Sequence, residues 1–160
     1  FLTLVLDSVA IAAQALVGAA LGAGSFAAAR KVGVSVLRFS VVASLILAAG
    51  LAAGAHVIPR IFTTDADVLA TIGGPWWMLV LLVLAGGVVF ALDGVLLGAA
   101  DVAFLRTATI ISVLAGFLPL VWLSWAFGWG LVGVWWGLFA FIVIRLLFVS
   151  WRFSGDKWDN

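Results

Sequence analysis

Cysteine, glutamate and tyrosine are absent from this 160-residue chain, and charge of either sign is scarce. Without cysteine there is no disulfide, thiolate metal site or cysteine nucleophile, and the redox compartment stays open. Without glutamate and tyrosine, proton or cation chemistry falls to aspartate, to hydroxyls or to the lone His56. Charged residues make up 9% of the chain, where soluble domains carry roughly 25%, so a water-facing surface cannot be covered. The net charge of +1 supplies no basic field, and no nucleic-acid partner is expected. What remains is apolar. Hydrophobic residues make up 66% of the sequence, more than a chain this short can bury within itself. The expected class is an all-α membrane protein with bilayer lipid as its main partner.

The chain opens at Phe1 inside an apolar run, with no basic n-region and no small-residue cleavage site. It therefore reads as a piece whose N-terminal part is missing rather than as a signal peptide. A membrane-crossing helix needs about 20 mostly apolar residues, and five stretches meet or approach this: residues 1–21, 34–57, 76–98, 107–127 and 131–151. Turn chemistry separates them. Gly22 to Ser25 ends the first, with Ser25 as the expected N-cap of the next. Pro59 is expected to close the second. Thr64 and Asp67 have the spacing of a capping box, predicting a short interfacial helix before Pro75. Asp101 is the expected cap of the fourth span, and Phe127 to Gly130 make a tight turn into the fifth.

Basic residues give the orientation. Arg30, Lys31, Arg38, Arg106, Arg145, Arg152 and Lys157 fall on one side of five alternating helices, and Arg60 alone on the other. The richer side is cytoplasmic by the positive-inside rule, which also puts the C-terminus there. Trp76, Trp77, Trp125, Trp129, Trp135 and Trp136 mark the outer boundary, and Trp151 and Trp158 the inner one, as an aromatic belt requires. An ungapped repeat agrees with this topology: residues 18–30 (GAALGAGSFAAAR) and 94–106 (GVLLGAADVAFLR) match at six of thirteen positions. Transporters are often built from such repeats. Glycine pairs four apart (Gly18/Gly22, Gly50/Gly54, Gly94/Gly98, Gly133/Gly137) predict close helix packing.

Polar groups at bilayer depth are costly and ask for a reason. Asp93 lies inside the third span, about two turns beyond Gly86 and Gly87, which are candidate hinge positions. It is the candidate for cation binding or proton coupling; the structural alternative is an ion pair with Arg145 or a backbone hydrogen bond. Thr3, Asp7, Gln14 and Gly18 share one helical face, a stripe suited either to a water-filled cavity wall or to helix packing. Arg38 and Arg145 read as anchors that snorkel to the cytoplasmic boundary, with Asp93 or Asp101 as alternative partners for Arg145. His56 reads as an interfacial side chain. Asp65, Asp67, Asp156 and Asp159 read as solvated charges. No nucleophile–base pair, metal cluster or phosphate loop is present, so no enzyme, metal or cofactor is expected.

Four stretches together resemble the multidrug and toxic compound extrusion (MATE) family, in its DinF-like branch: LDSVAIAAQALVG at 6–18 with LGAG at 21–24, IFTTD at 61–65 with Val68, LDGVLLGAAD at 92–101, and Arg145 followed by the tail to Trp158. The resemblance implies twelve helices in two six-helix lobes, of which this chain matches helices 8–12, leaving the N-terminal lobe and the seventh helix as its missing partners. It implies an antiporter of the inner cell membrane that exports cationic or amphipathic drug-like compounds against inward Na⁺ or H⁺ by alternating access. By motif, Asp93 corresponds to a tenth-helix acid that helps bind the coupling cation, while DinF-like members place the proton site on the first helix of the other lobe. Drug and cation would compete for buried carboxylates, with Thr3, Asp7 and Gln14 lining the cavity. Two rivals stand beside this: a lipid-linked oligosaccharide flippase, which calls for a more cationic cavity, and a small non-transporting membrane subunit.

Overall fold

A computed structural model describes residues 2–155, and nearly all of them are helical. Two helices, α1 (Leu2–Gly22) and α2 (Phe26–Ala53), form a hairpin, and two short ones, α3 (Ile58–Phe62) and α4 (Ala66–Thr71), lead into α5 (Gly73–Gly98). Then α6 (Val102–Ser112), a π-helical turn (Val113–Phe117) and α7 (Leu118–Phe127) make one continuous span, and α8 (Gly130–Ser154) follows. Among the described residues five spans are long and apolar enough to cross a bilayer, so this is a multi-pass membrane protein. The expected tail residues Asp156, Lys157, Trp158 and Asp159, like Phe1, lie outside the described residues.

The central helix is α5, which packs against α1, α2 and α8 and buries the largest share of its own residues. Leu92, Val95 and Leu96 meet Ala13 and Val17 of α1, Ala29 of α2, Leu105 of α6 and Val149 of α8 in one core. Ala48, Trp76, Val80 and Val83 form a second core towards the other end, where the Trp76 indole N–H donates to the Leu51 carbonyl at 2.9 Å. Lipid supplies no hydrophobic drive between helices, so contact depends on close approach. The glycines provide it. A Cβ on Gly94 would collide with the Ala10 backbone, and one on Gly98 would come within 2.6 Å of the Gln14 carbonyl. Two glycines one turn apart thus face two α1 residues one turn apart, and the backbones touch. Gly116 does the same against Ala140 and Phe141 of α8, and Gly133 makes room for the Ser124 side chain.

The sequence repeat is also a structural one. Both copies end a helix in the same Schellman turn. In the first, the Gly24 and Ser25 amides donate to the Leu21 and Ala20 carbonyls; in the second, Ala100 and Asp101 donate to Leu97 and Leu96. Gly24 and Ala100 occupy the left-handed position, at φ +72° and +58°.

Several expected boundaries shift. The second span starts at Phe26 rather than residue 34 and ends at Ala53 rather than 57, because a helix does not stop where the apolar slab does and Arg30 and Lys31 extend it beyond lipid. Pro59 does not close it; Gly54 caps it, and Pro59 sits in the first turn of α3, where its missing N–H costs nothing. Pro75 is accommodated likewise near the start of α5. Asp65, not Thr64, caps α4, accepting from the Asp67 and Val68 amides. Ser25 and Asp101 hold the N-cap positions of α2 and α6 but make no side-chain cap bond. The fourth span starts at Val102 rather than 107, and the fifth runs from Gly130 to Ser154 rather than over 131–151.

Basic residues gather at one end. Arg152 on the last turn of α8 bonds Asp101 between α5 and α6, and the Phe153 ring lies against Gly33 of α2. Arg30, Lys31, Arg106 and Arg152 therefore share that end, while Arg60 on α3 sits past the far end of α2. At that far end Trp77, Trp125, Trp129 and Trp136 are exposed.

Candidate functional site

Asp93 sits on α5 about 7.5 Å inward from Gly98, at 1.5 Å of rise per residue. Its helix neighbours Leu92, Val95 and Leu96 fill the core, which turns its carboxylate towards α8 and α6. There it meets Arg145. Both the Nε and the Nη2 of Arg145 donate to a single oxygen, Asp93 Oδ2, at 3.1 and 2.8 Å. The Nη1 donates to the Thr109 hydroxyl of α6, which in turn donates to the Leu105 carbonyl at 2.7 Å. The other carboxylate oxygen, Oδ1, is buried with no hydrogen-bond partner among the described residues. The Arg145 and Asp93 side chains are 13% and 19% exposed. A neutral, desolvated pair thus joins three helices and leaves one acceptor unused.

This arrangement corrects the reading of Arg145 as a snorkelling anchor. It lies about 13.5 Å inside the end of α8, and its guanidinium is held by Asp93 and Thr109 rather than by the boundary. Asp101 is not available to it, because Arg152 Nε takes Asp101 Oδ2 at 2.6 Å. That second pair lies at the basic end, with the Arg152 guanidinium 5.1 Å from the Phe104 ring centroid. In the sequence Thr109 is one of several hydroxyls on α6, with Thr107 and Ser112 beside it, and nothing in the pattern singles it out.

The stripe on α1 lies elsewhere. Thr3, Asp7 and Gln14 are exposed, and the Asp93 carboxylate bonds Arg145 rather than any of them. The face of α1 turned to α5 carries Leu6, Ala13 and Val17, whereas Ser8, Val9 and Ala12 line a groove shared with Ser35, Val36 and Phe39 of α2. At 100° per residue, Asp7 and Gln14 point away from that groove. Arg38 is likewise exposed, about 18 Å along α2 from its start. Two other grooves are apolar: one of about 390 Å³ beside Leu147 and Trp151, and one of about 540 Å³ between α4 and Leu131 and Trp135. Neither is lined by Asp7 or Asp93.

The helix α5 runs unbroken through Gly86 and Gly87. Gly87 serves close packing: a Cβ there would overlap Ser44, and its carbonyl accepts from the Ser40 hydroxyl at 2.6 Å. The irregular backbone is in the neighbouring span. From Val113 to Phe117 it widens into a π turn, with the Leu118 amide reaching back to the Val113 carbonyl. Pro119 explains the position, since its ring and missing N–H disrupt regular α-helical bonding to the residues before it. The turn also presents Gly116 to Ala140, Phe141 and Ile144, next to Arg145. His56 is exposed beyond the end of α2. Among the described residues no cluster of His, Asp or Glu could hold a metal ion.

The MatE family model matches residues 1–122. Two curated relatives from Arabidopsis thaliana are similar across the chain. Protein DETOXIFICATION 44, chloroplastic, is 34% identical over 157 residues, covering 94% of this chain and 28% of that protein. Protein DETOXIFICATION 42 is 30% identical over 157 residues, covering 94% and 29%. The chain spans less than a third of the length of these relatives. No solved structure matches.

Proposed function

Since this chain belongs to the MatE family, we propose that it forms part of a secondary active efflux antiporter that exchanges cationic or amphipathic compounds for Na⁺ or H⁺ by alternating access. The names of the two relatives support a detoxifying role, and the family supports transport rather than catalysis. The five spans stand for helices 8–12 of a twelve-helix transporter, whose DinF-like placement rests on the four sequence stretches. The membrane is the inner cell membrane, with the basic end and the C-terminus in the cytoplasm.

One observation carries the mechanism: a carboxylate within the bilayer, on the central helix, with one oxygen in an ion pair and the other buried and unused. Intramembrane acids mark ion paths more often than they serve packing. A cation or proton at Asp93 breaks the charge balance of the Asp93–Arg145 pair and so changes what joins α5, α8 and α6. A ligand shifts a two-state equilibrium only through such a difference between states. The exposed Thr3, Asp7 and Gln14 then belong to the face that α1 turns towards the other lobe, where water and substrate meet them; facing lipid, Asp7 would cost roughly 2.5–3.5 kcal/mol on insertion scales.

The test is Asp93→Asn in the complete transporter, reconstituted in vesicles with imposed Na⁺ or H⁺ gradients. Ethidium efflux should lose its dependence on the driving ion. Efflux and ion dependence both equal to wild type would remove Asp93 from the mechanism.

A further inference from the structure

We propose that Arg145 is the resident cation of the coupling site: it occupies Asp93 when no coupling ion does, and its displacement sets the ion concentration at which exchange begins. The inference rests on the coupling role of Asp93 proposed above and adds the group that determines ion affinity there.

The geometry of the pair carries it. An arginine and a carboxylate locked together for stability alone gain most by meeting fork to fork, each carboxylate oxygen taking one N–H. Here both donors converge on Oδ2, and Oδ1 is left buried without a partner. The pair therefore offers an ion a ready acceptor. It does not offer room for a second charge. Asp93 and Arg145 cancel, and an ion added at Oδ1 would leave one uncompensated positive charge in a site that is mostly shielded from water. Occupancy by an ion thus requires that Arg145 release Oδ2. Thr109 does not cancel that charge, but it keeps one hydrogen bond on the guanidinium as Oδ2 is released: its hydroxyl already accepts from Nη1 and is itself tied to the Leu105 carbonyl. The charge of Arg145 left without its partner is the cost an arriving ion must meet, and it sets the ion's affinity.

No other charged group competes for this role among the described residues. Of those on helices packed against α5, Asp7 and Arg38 are exposed on outer faces, Arg30, Lys31 and Arg106 lie towards the basic end, Asp67 is exposed on α4, and Arg152 is bonded to Asp101. Of these helices, α8 alone brings a cation to Asp93. Ion occupancy then breaks the α5–α8 bond and keeps the α6–α8 one, directly beside the π turn and the Gly116 contact.

The experiment is an ion titration of the complete purified transporter followed by intrinsic tryptophan fluorescence, with Na⁺ varied at fixed pH and with pH varied in the absence of Na⁺. Arg145→Gln removes the internal competitor, and the midpoint for the coupling ion should fall at least about tenfold with the amplitude retained. Arg145→Lys keeps a charge but loses the planar fork, so its midpoint should fall by a smaller factor; it also tests the proposal should Arg145→Gln fail to fold. A purely structural arginine predicts a less stable protein with the midpoint unchanged or raised, and that result overturns the proposal. A wild type that titrates with neither ion, or an Asp93→Asn protein that titrates like wild type, removes the coupling role of Asp93 itself. That failure is distinguishable, because it appears without reference to Arg145.

Discussion

Gly24 and Ala100 hold equivalent places in two copies of one helix-ending turn, and both have positive φ, at +72° and +58°. The left-handed conformation suits glycine and strains alanine, whose Cβ crowds the backbone. The second copy therefore carries strain that the first avoids. Ala100→Gly should stabilise the protein by about 1 kcal/mol, and Gly24→Ala should destabilise it by a similar amount. Thermal unfolding in detergent, comparing both variants with wild type, checks the opposite signs.

The glycine pairs should separate by environment. Gly94 faces the Ala10 backbone with no room for a methyl group, whereas nothing lies within 4 Å of a Cβ at Gly22. Gly94→Ala should force α1 off α5 and cost about 1–3 kcal/mol. Gly22→Ala should be neutral or slightly stabilising. Equal effects in a melting experiment would mean that the α1–α5 contact is not the close seam described.

The Asp93–Arg145 pair should behave as a unit. Removing either partner leaves a buried charge without compensation, at a cost of about 3–5 kcal/mol. The double variant Asp93→Asn, Arg145→Met leaves none, and its unfolding temperature should lie above those of both single variants. A double variant whose destabilisation equals the sum of the single ones would show that the two groups do not interact.

The sequence made much of this architecture legible, for physical reasons. Spans of apolar residues separated by Gly22–Ser25 and Phe127–Gly130 declare themselves because lipid permits little else. The repeat was visible because the same turn needs the same small residues in both copies. Helix ends were less legible: apolarity alone starts the second span at residue 34, yet α2 begins at Phe26 and carries Arg30 and Lys31 in its first turns. The π turn was missed because Pro119 alone does not say whether a helix kinks, breaks or widens. Asp93 was legible as a costly group at depth, and Arg145 among its alternative partners. Thr109 was not, since Thr107 and Ser112 lie on the same helix and nothing in the sequence tells the three hydroxyls apart. Nor could periodicity decide which way the α1 stripe faces, because it gives relative rather than absolute direction.

That direction is the point on which the proposed transport cycle turns. The sequence has no cysteine, so single cysteines can be placed at Thr3, Asp7 and Gln14 in a complete transporter cleared of other thiols, with the exposed apolar positions Leu114 and Leu147 as comparisons. Reaction with a membrane-impermeant maleimide should be fast at Asp7 and Gln14 and slow at Leu114 and Leu147, and the efflux substrate should protect the first two. Labelling at Asp7 and Gln14 as slow as at Leu147, with no protection by substrate, would place the stripe against lipid or protein and contradict the cavity on which the account depends.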